Sequence, residues 1–256
     1  MKRAKVTNIA GIIARELTRD NVFLSLSGAS VLLVFASLIL NEMVVGQQIK
    51  ATKDLGLSVL NLFSLFIVIF LGISQVSGDI GGTSLYFLFS KPVRRSEYLV
   101  GTAVAVFMAV FCGVLVITVT IFLLSIFQGE VWIMGLLIAA YLTLLEMLVM
   151  LAFALLFTLI TSSQLAMFLT LSVYIIGHTI QQAAVIADRS SNLVLKYIIL
   201  LLYGLCPNLE FFNKKTEIIY HVNIPLSYFL YTTVYSFSYT TLIVLLALYV
   251  FKHKEI

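Results

Sequence analysis

Residues 131–160 read VWIMGLLIAAYLTLLEMLVMLAFALLFTLI, thirty positions in which Glu146 is the one charge. A helix of that length is about 45 Å long at 1.5 Å per residue. Crossing roughly 30 Å of hydrocarbon takes about 20 apolar residues. A carboxylate at the centre of a span costs about 2.5–3.5 kcal/mol on insertion scales. Each leucine there returns up to about 0.6 kcal/mol, and the stretch holds ten. Insertion therefore wins with Glu146 in place.

The rest of the chain follows the same pattern. No charge falls within residues 21–41, 55–78, 98–129 or 218–251, and residues 131–187 carry only Glu146. The last block would make about 85 Å of helix, so it must fold back once. Thr161, Ser162, Ser163 and Gln164 form the polar run for that turn. Six spans result, at about 22–40, 56–77, 98–126, 131–160, 164–186 and 228–250. Over all 256 residues, 61% are hydrophobic and 11% charged, against about 45–50% and 25% in soluble domains. These figures exclude a soluble globular domain, a disordered chain, a coiled coil and a disulfide scaffold. They indicate an all-α integral membrane protein forming a single transmembrane domain over 1–256.

Residues 193–205 (LVLKYIILLLYGL) are too short to span and stop before Cys206 and Pro207. They read as a re-entrant or interfacial helix within an extracytoplasmic segment, 187–227. Six spans put both termini on one side, with Lys2, Arg3, Lys5, Arg15, Arg19, Lys91, Arg94, Arg95, Lys252 and Lys254. Lys50, Lys53, Arg189, Lys196, Lys214 and Lys215 fall on the other. Basic residues near span ends stay inside, so both termini are expected in the cytoplasm. The first apolar run starts too late for a short basic leader and reads as a retained span. Cys112 and Cys206 fall in distant segments and read as unpaired packing residues.

Before the first span, Val6, Ile9, Ala10, Ile13 and Leu17 fall at helical spacing, with Lys5, Arg15, Glu16 and Arg19 elsewhere on the wheel. Residues 1–20 are therefore expected to form an amphipathic interfacial helix. It serves either as a basic anchor on lipid or as a contact for a partner subunit.

Between spans two and three, residues 77–101 read SGDIGGTSLYFLFSKPVRRSEYLVG. Gly78, Gly81 and Gly82 loosen the chain. Leu85, Tyr86, Leu88 and Phe89 make a short helix-compatible apolar patch, and Pro92 ends it. Arg94 and Arg95 meet headgroups, and Glu97 and Tyr98 open the third span. Four large apolar side chains in so short a connection call for a partner or for burial in the interface.

This stretch resembles the cytoplasmic loop of permease subunits of type-2 ABC exporters. In that family an acidic residue precedes Gly-Thr, an apolar helix, and a Lys/Arg-Pro run that ends in a Tyr-like position. Asp79, Gly82 and Thr83, then Leu85, Leu88 and Phe89, then Lys91, Pro92, Arg94, Arg95, Glu97 and Tyr98 take those places, and Gly101 closes the run. Asp79 is shorter than the more usual Glu, and Thr102 stands where Lys often follows. The six spans, the lead-in helix and the long segment before the last span also look like this family.

The resemblance implies that residues 78–97 form a coupling helix docking in a groove on a separate ATP-binding subunit. It implies two permease chains per complex, identical or related, in a prokaryotic plasma (inner) membrane. An apolar helix with a charged rim suits such a groove. No Gly-Lys dipeptide occurs in the chain, so it has no Walker A ending to cradle phosphate. ATP and Mg would be bound by the partner, and no cofactor by this chain.

Within the spans, Glu146 reads either as a substrate, ion or proton contact or as a hydrogen-bonded acid joining two helices. His178 shares a helix face with Gln181 and Gln182. They could line a wet vestibule, meet the external segment, or hydrogen-bond between helices. Too few histidines are close for a metal site. Ser236 and Thr240 suit close helix packing, and Tyr228, Tyr231 and Tyr235 read as an aromatic belt. Asn208, Glu210, Asn213, Lys214, Lys215 and Glu217 read as facing water, with substrate contact the other reading. No HExxH, CxxC or GxSxG occurs, and the charge pattern does not suggest nucleic-acid binding. The competing function is a polytopic membrane enzyme or maturation factor using Glu146 and His178.

Overall fold

The computed structural model describes residues 2–43, 48–81, 95–129, 132–189 and 193–253. Among them the order is α1 (Lys2–Leu17), α2 (Asn21–Met43), α3 (Gln48–Gly81), α4 (Arg95–Phe127), α5 (Ile133–Ile160), α6 (Ser163–Arg189), α7 (Leu193–Leu205), a 3-10 turn (Leu209–Phe212), α8 (Lys215–Ile219) and α9 (Leu226–His253). Six helices are long and apolar enough to cross a membrane: α2, α3, α4, α5, α6 and α9. All described regular structure is helical, as backbone polar groups in lipid require.

Burial ranks the spans. In α3 and α5, 72% of the apolar stretch is buried, against 28% in α2 and α6 and 22% in α9. The core is therefore α3, α4 and α5, with α2 against α3 and α4, α6 against α5 and α3, and α9 against α5. Lipid offers no hydrophobic drive between helices, so close approach through small side chains does the work. On α4 the buried positions Gly101, Ala105, Ala109 and Gly113 recur every four residues. A Cβ at Gly113 would stand 2.5 Å from Ile67 Cδ1 of α3, so any larger residue there would make the Ile67 side chain shift.

Several buried hydroxyls settle locally. Ser64, Ser125, Thr158 and Thr170 each donate to the carbonyl four residues back, leaving the helices self-satisfied. Ser236 instead crosses to Leu145 O at 2.8 Å. On α9, Thr232, Ser236, Ile243, Ala247 and Phe251 are buried, which supplies the seam expected around Ser236.

The α5–α6 turn contains only Thr161 and Ser162. Thr161 is extended, and both its amide and its hydroxyl donate to Phe157 O at 2.8 Å. This is the turn expected from the polar run.

Tyr98, at the start of α4, packs its ring against Phe251 at the end of α9, with centroids 6.3 Å apart. Ala10, Ile13, Ala14 and Leu17 of α1 are buried, and α1 packs on α4. The chain termini thus share one end of the bundle, called here the terminal end. The 13-residue α7 packs on α6 and is too short to span.

Lys252 and Asn223 are exposed at opposite ends. Single cysteines there, with Cys112 and Cys206 replaced, should react with a membrane-impermeant maleimide from opposite sides of the membrane. Labelling of both from one side would overturn the six-span topology.

Candidate functional site

Glu146 stands halfway along α5 and is completely buried. A buried polar group survives only with partners, and the fold brings them to Glu146 from two other helices. Asn61 of α3 donates from Nδ2 to Glu146 Oε2 at 2.8 Å. His178 Nε2 of α6 lies 2.8 Å from Glu146 Oε1. Tyr174, one turn before His178, donates to Asn61 Oδ1 at 3.0 Å. On its other edge, His178 Nδ1 lies 3.4 Å from Glu210 Oε2 in the 3-10 turn. Asn213 Nδ2 donates to Glu210 Oε1 at 3.1 Å.

Glu210 reaches His178 because residues 207–212 fold into the bundle. Asn208 and Leu209 are buried. The Asn208 side chain caps the turn by accepting from Glu210 N at 3.1 Å. Asn208 N donates to Tyr235 OH at 2.8 Å, nine residues into α9 and so about 14 Å from its start. The Tyr228 hydroxyl donates to Phe211 O.

Gly177 makes the approach possible. A Cβ there would meet Leu209 Cγ at 2.6 Å and Pro207 O at 2.9 Å.

Lys215 of α8 completes the cluster. Burial pushes its ammonium down, against the pull of Glu146, Asp54 and Glu210. Glu217 is opposed by burial too, but its bond from Lys214 at 2.5 Å holds its carboxyl below the usual range. Nearby, Lys53 sits over the Trp132 ring at 4.6 Å, and the edge of His221 meets the same ring.

Two expectations change. Asn208, Glu210, Asn213 and Lys215 do not simply face water; they fold against α6, α5 and α3. Tyr228 and Tyr235 do not form a lipid-facing belt with exposed Tyr231; their hydroxyls hold the inserted segment. Of the polar interior residues expected from sequence, Glu146 and His178 touch directly, whereas Gln181 and Gln182 are exposed on α6. Asn61 and Tyr174 were not singled out from sequence. Asn61 is a neutral amide in an uncharged span, and its polarity there was its only signal.

Of the coupling-loop residues, Gly82, Thr83, Leu85, Leu88, Phe89, Lys91, Pro92 and Arg94 lie outside the described residues, and so does the expected coupling helix. Asp79 lies in the last turn of α3 and Arg95 opens α4. Glu97 is half-buried and Tyr98 fully buried, so Tyr98 fixes the start of α4 from inside the bundle. Thr102, the position where Lys often stands in the resembled family, is fully buried.

Several hollows lie apart from the cluster. One of about 230 Å³ sits between α4, α5 and α9, lined by Phe107, Leu151, Leu155, Thr240 and Val244 among others. Another, of about 390 Å³, lies beside Trp132, Ile218 and His221. Among the described residues no group of three His, Cys, Asp or Glu is placed to hold a metal ion.

Replacing Asn61 with Leu would strand Glu146 Oε2 and the Tyr174 hydroxyl. The expected loss is about 1–2 kcal/mol, measurable by denaturant unfolding in bicelles. Gly177→Val should expel residues 207–212 and speed maleimide labelling of Cys206 several-fold in a Cys112→Ala background; unchanged labelling would contradict the close approach. Burial pushes the Cys206 thiol up, so exposure also raises its reactive fraction. Neither a scan against protein-family models nor a search of curated proteins gave a match.

Proposed function

We propose that this chain is the membrane-spanning subunit of an ATP-driven ABC exporter, paired with a second copy or a related permease. Separate ATP-binding subunits hold ATP and Mg and supply the energy. One observation carries the reading. The core helices α3 and α4, of 34 and 33 residues, both reach the terminal end on either side of the Asp79–Tyr98 motif. Each is about 50 Å long. A push on that connection acts directly on two helices that line the whole core.

The local packing favours transmission. Tyr98 is locked against Phe251, and α1 lies along α4, so the start of α4 moves with α1 and the end of α9. Leu85, Leu88 and Phe89 fill the groove on the ATPase. Asp79, Lys91, Arg94 and Arg95 set register and partner choice at its rim. The sequence count of ten basic residues against six supports cytoplasmic termini, in a plasma (inner) membrane.

A second reading rests on the direct Glu146–His178 contact: a membrane enzyme or maturation factor built on that pair. It requires activity without an ATPase and loss of that activity in Glu146→Gln.

The two readings separate on one experiment. Changing Leu85 and Phe89 to Asp should abolish co-purification with the ATP-binding subunit while leaving the chain folded in the membrane. Undiminished complex formation would refute the coupling assignment.

A further inference from the structure

The transporter reading makes no use of the buried cluster, yet its hydrogen bonds define an unusual proton count. Both imidazole nitrogens of His178 face carboxylate oxygens, Nε2 at Glu146 Oε1 (2.8 Å) and Nδ1 at Glu210 Oε2 (3.4 Å). A bare ring nitrogen against a bare carboxylate oxygen is repulsive, so each contact needs one proton. The three groups together then hold two protons and one net negative charge.

Three arrangements satisfy this count. The imidazole carries both protons between two carboxylates. Alternatively Glu210 carries one and His178 Nε2 the other, or Glu146 carries one and His178 Nδ1 the other. These differ only in the position of protons along one line of atoms.

The ends of that line are unlike. The Glu146 side chain is fully buried, and that of Glu210 is 30% exposed. The Glu210 end is therefore the one open to the surface, in the half of the bundle opposite the chain termini. The heavy atoms are held throughout. Asn61, itself held by Tyr174, fixes the second oxygen of Glu146. Asn213 fixes the second oxygen of Glu210, and Asn208 its backbone.

The surrounding titratable groups are Lys215 of α8, whose charge offsets the single negative one, Asp54 of α3, which acts on Lys215, and Tyr228 of α9, beside Glu210. Tyr174 lies next to Glu146 on α6.

We propose that Glu210, His178 and Glu146 form a proton relay through which the bundle face opposite the termini sets the charge of the buried Glu146. The transfer starts with one proton on Glu210 Oε2 and the other on His178 Nε2. The Glu210 proton passes to His178 Nδ1 as the Nε2 proton passes to Glu146 Oε1. One O–H bond breaks and one N–H forms at Nδ1, while one N–H breaks and one O–H forms at Glu146. No redox partner is involved. The path is reversible and charges or discharges Glu146; it does not conduct protons across the bundle.

The chain has three histidines, so full-length protein with ¹⁵N-histidine in nanodiscs gives three assignable imidazoles. His221→Asn and His253→Gln identify the other two. In the wild type, both His178 nitrogens should share protons in exchange. Glu210→Gln should hold the proton at Nε2, facing Glu146, and Glu146→Gln should hold it at Nδ1, facing Glu210. One fixed tautomer in all three proteins would overturn the relay.

Exchange of the His178 N–H with solvent gives a second readout. In Glu210→Gln it should slow on the order of a hundredfold, as when a positioned acid–base group is removed. If Glu210 were only a plug, its replacement would loosen the segment and speed exchange. Equal or faster exchange in Glu210→Gln therefore overturns the proposal, including where Glu146→Gln fails to fold.

Discussion

A carboxylate buried in a bundle of spans cannot be left alone, and the arrangement of this chain around Glu146 follows from that requirement. Its two oxygens are taken by Asn61 and His178, which commits α3 and α6 to fixed faces against α5. His178 has a second nitrogen to satisfy, and that brings in Glu210. The inserted segment is then held by Gly177 below it and by Tyr228 and Tyr235 beside it. Removing one partner from such a cluster leaves an unpaired group, whose cost exceeds the net worth of the bond itself. Specificity of register, more than raw stability, is what these polar groups contribute.

Charge spacing and apolar run length made the spans legible in the sequence. All six appear close to the expected bounds, and even the turn at Thr161 and Ser162 was marked by its polar run. These are local properties, set by the thickness of hydrocarbon. The inserted segment was misread because Asn208, Glu210 and Lys215 look like solvated residues, and nothing local distinguishes water from His178 as a partner. The Glu146–His178 pair spans 32 residues and the Asn61–Glu146 pair 85, so no helical period links them. The stripe from Gly101 to Gly113 was readable at four-residue spacing, but its buried role emerges only where Ile67 closes on Gly113. Glu146 and His178 were both marked as candidates; their contact was not.

The two proposed functional regions occupy opposite parts of the bundle. Asp79 and Tyr98, at the two edges of the proposed coupling motif, lie at the terminal end, where the long core helices α3 and α4 meet it. The polar cluster lies in the half facing away from the termini. α3 and α5 connect them, since α3 carries both Asp79 and Asn61 and α5 packs along it. A displacement entering through α3 therefore reaches Asn61 as a movement of the group that orients Glu146.

The tight turn at Thr161 and Ser162 governs how that displacement can be expressed. With two residues between them, α5 and α6 are pinned like the legs of a clothes-peg at the end shared with the chain termini. They cannot part there. Any widening between them grows with distance from that end, and the turn that carries Glu210 is wedged part-way along, against Gly177 and His178.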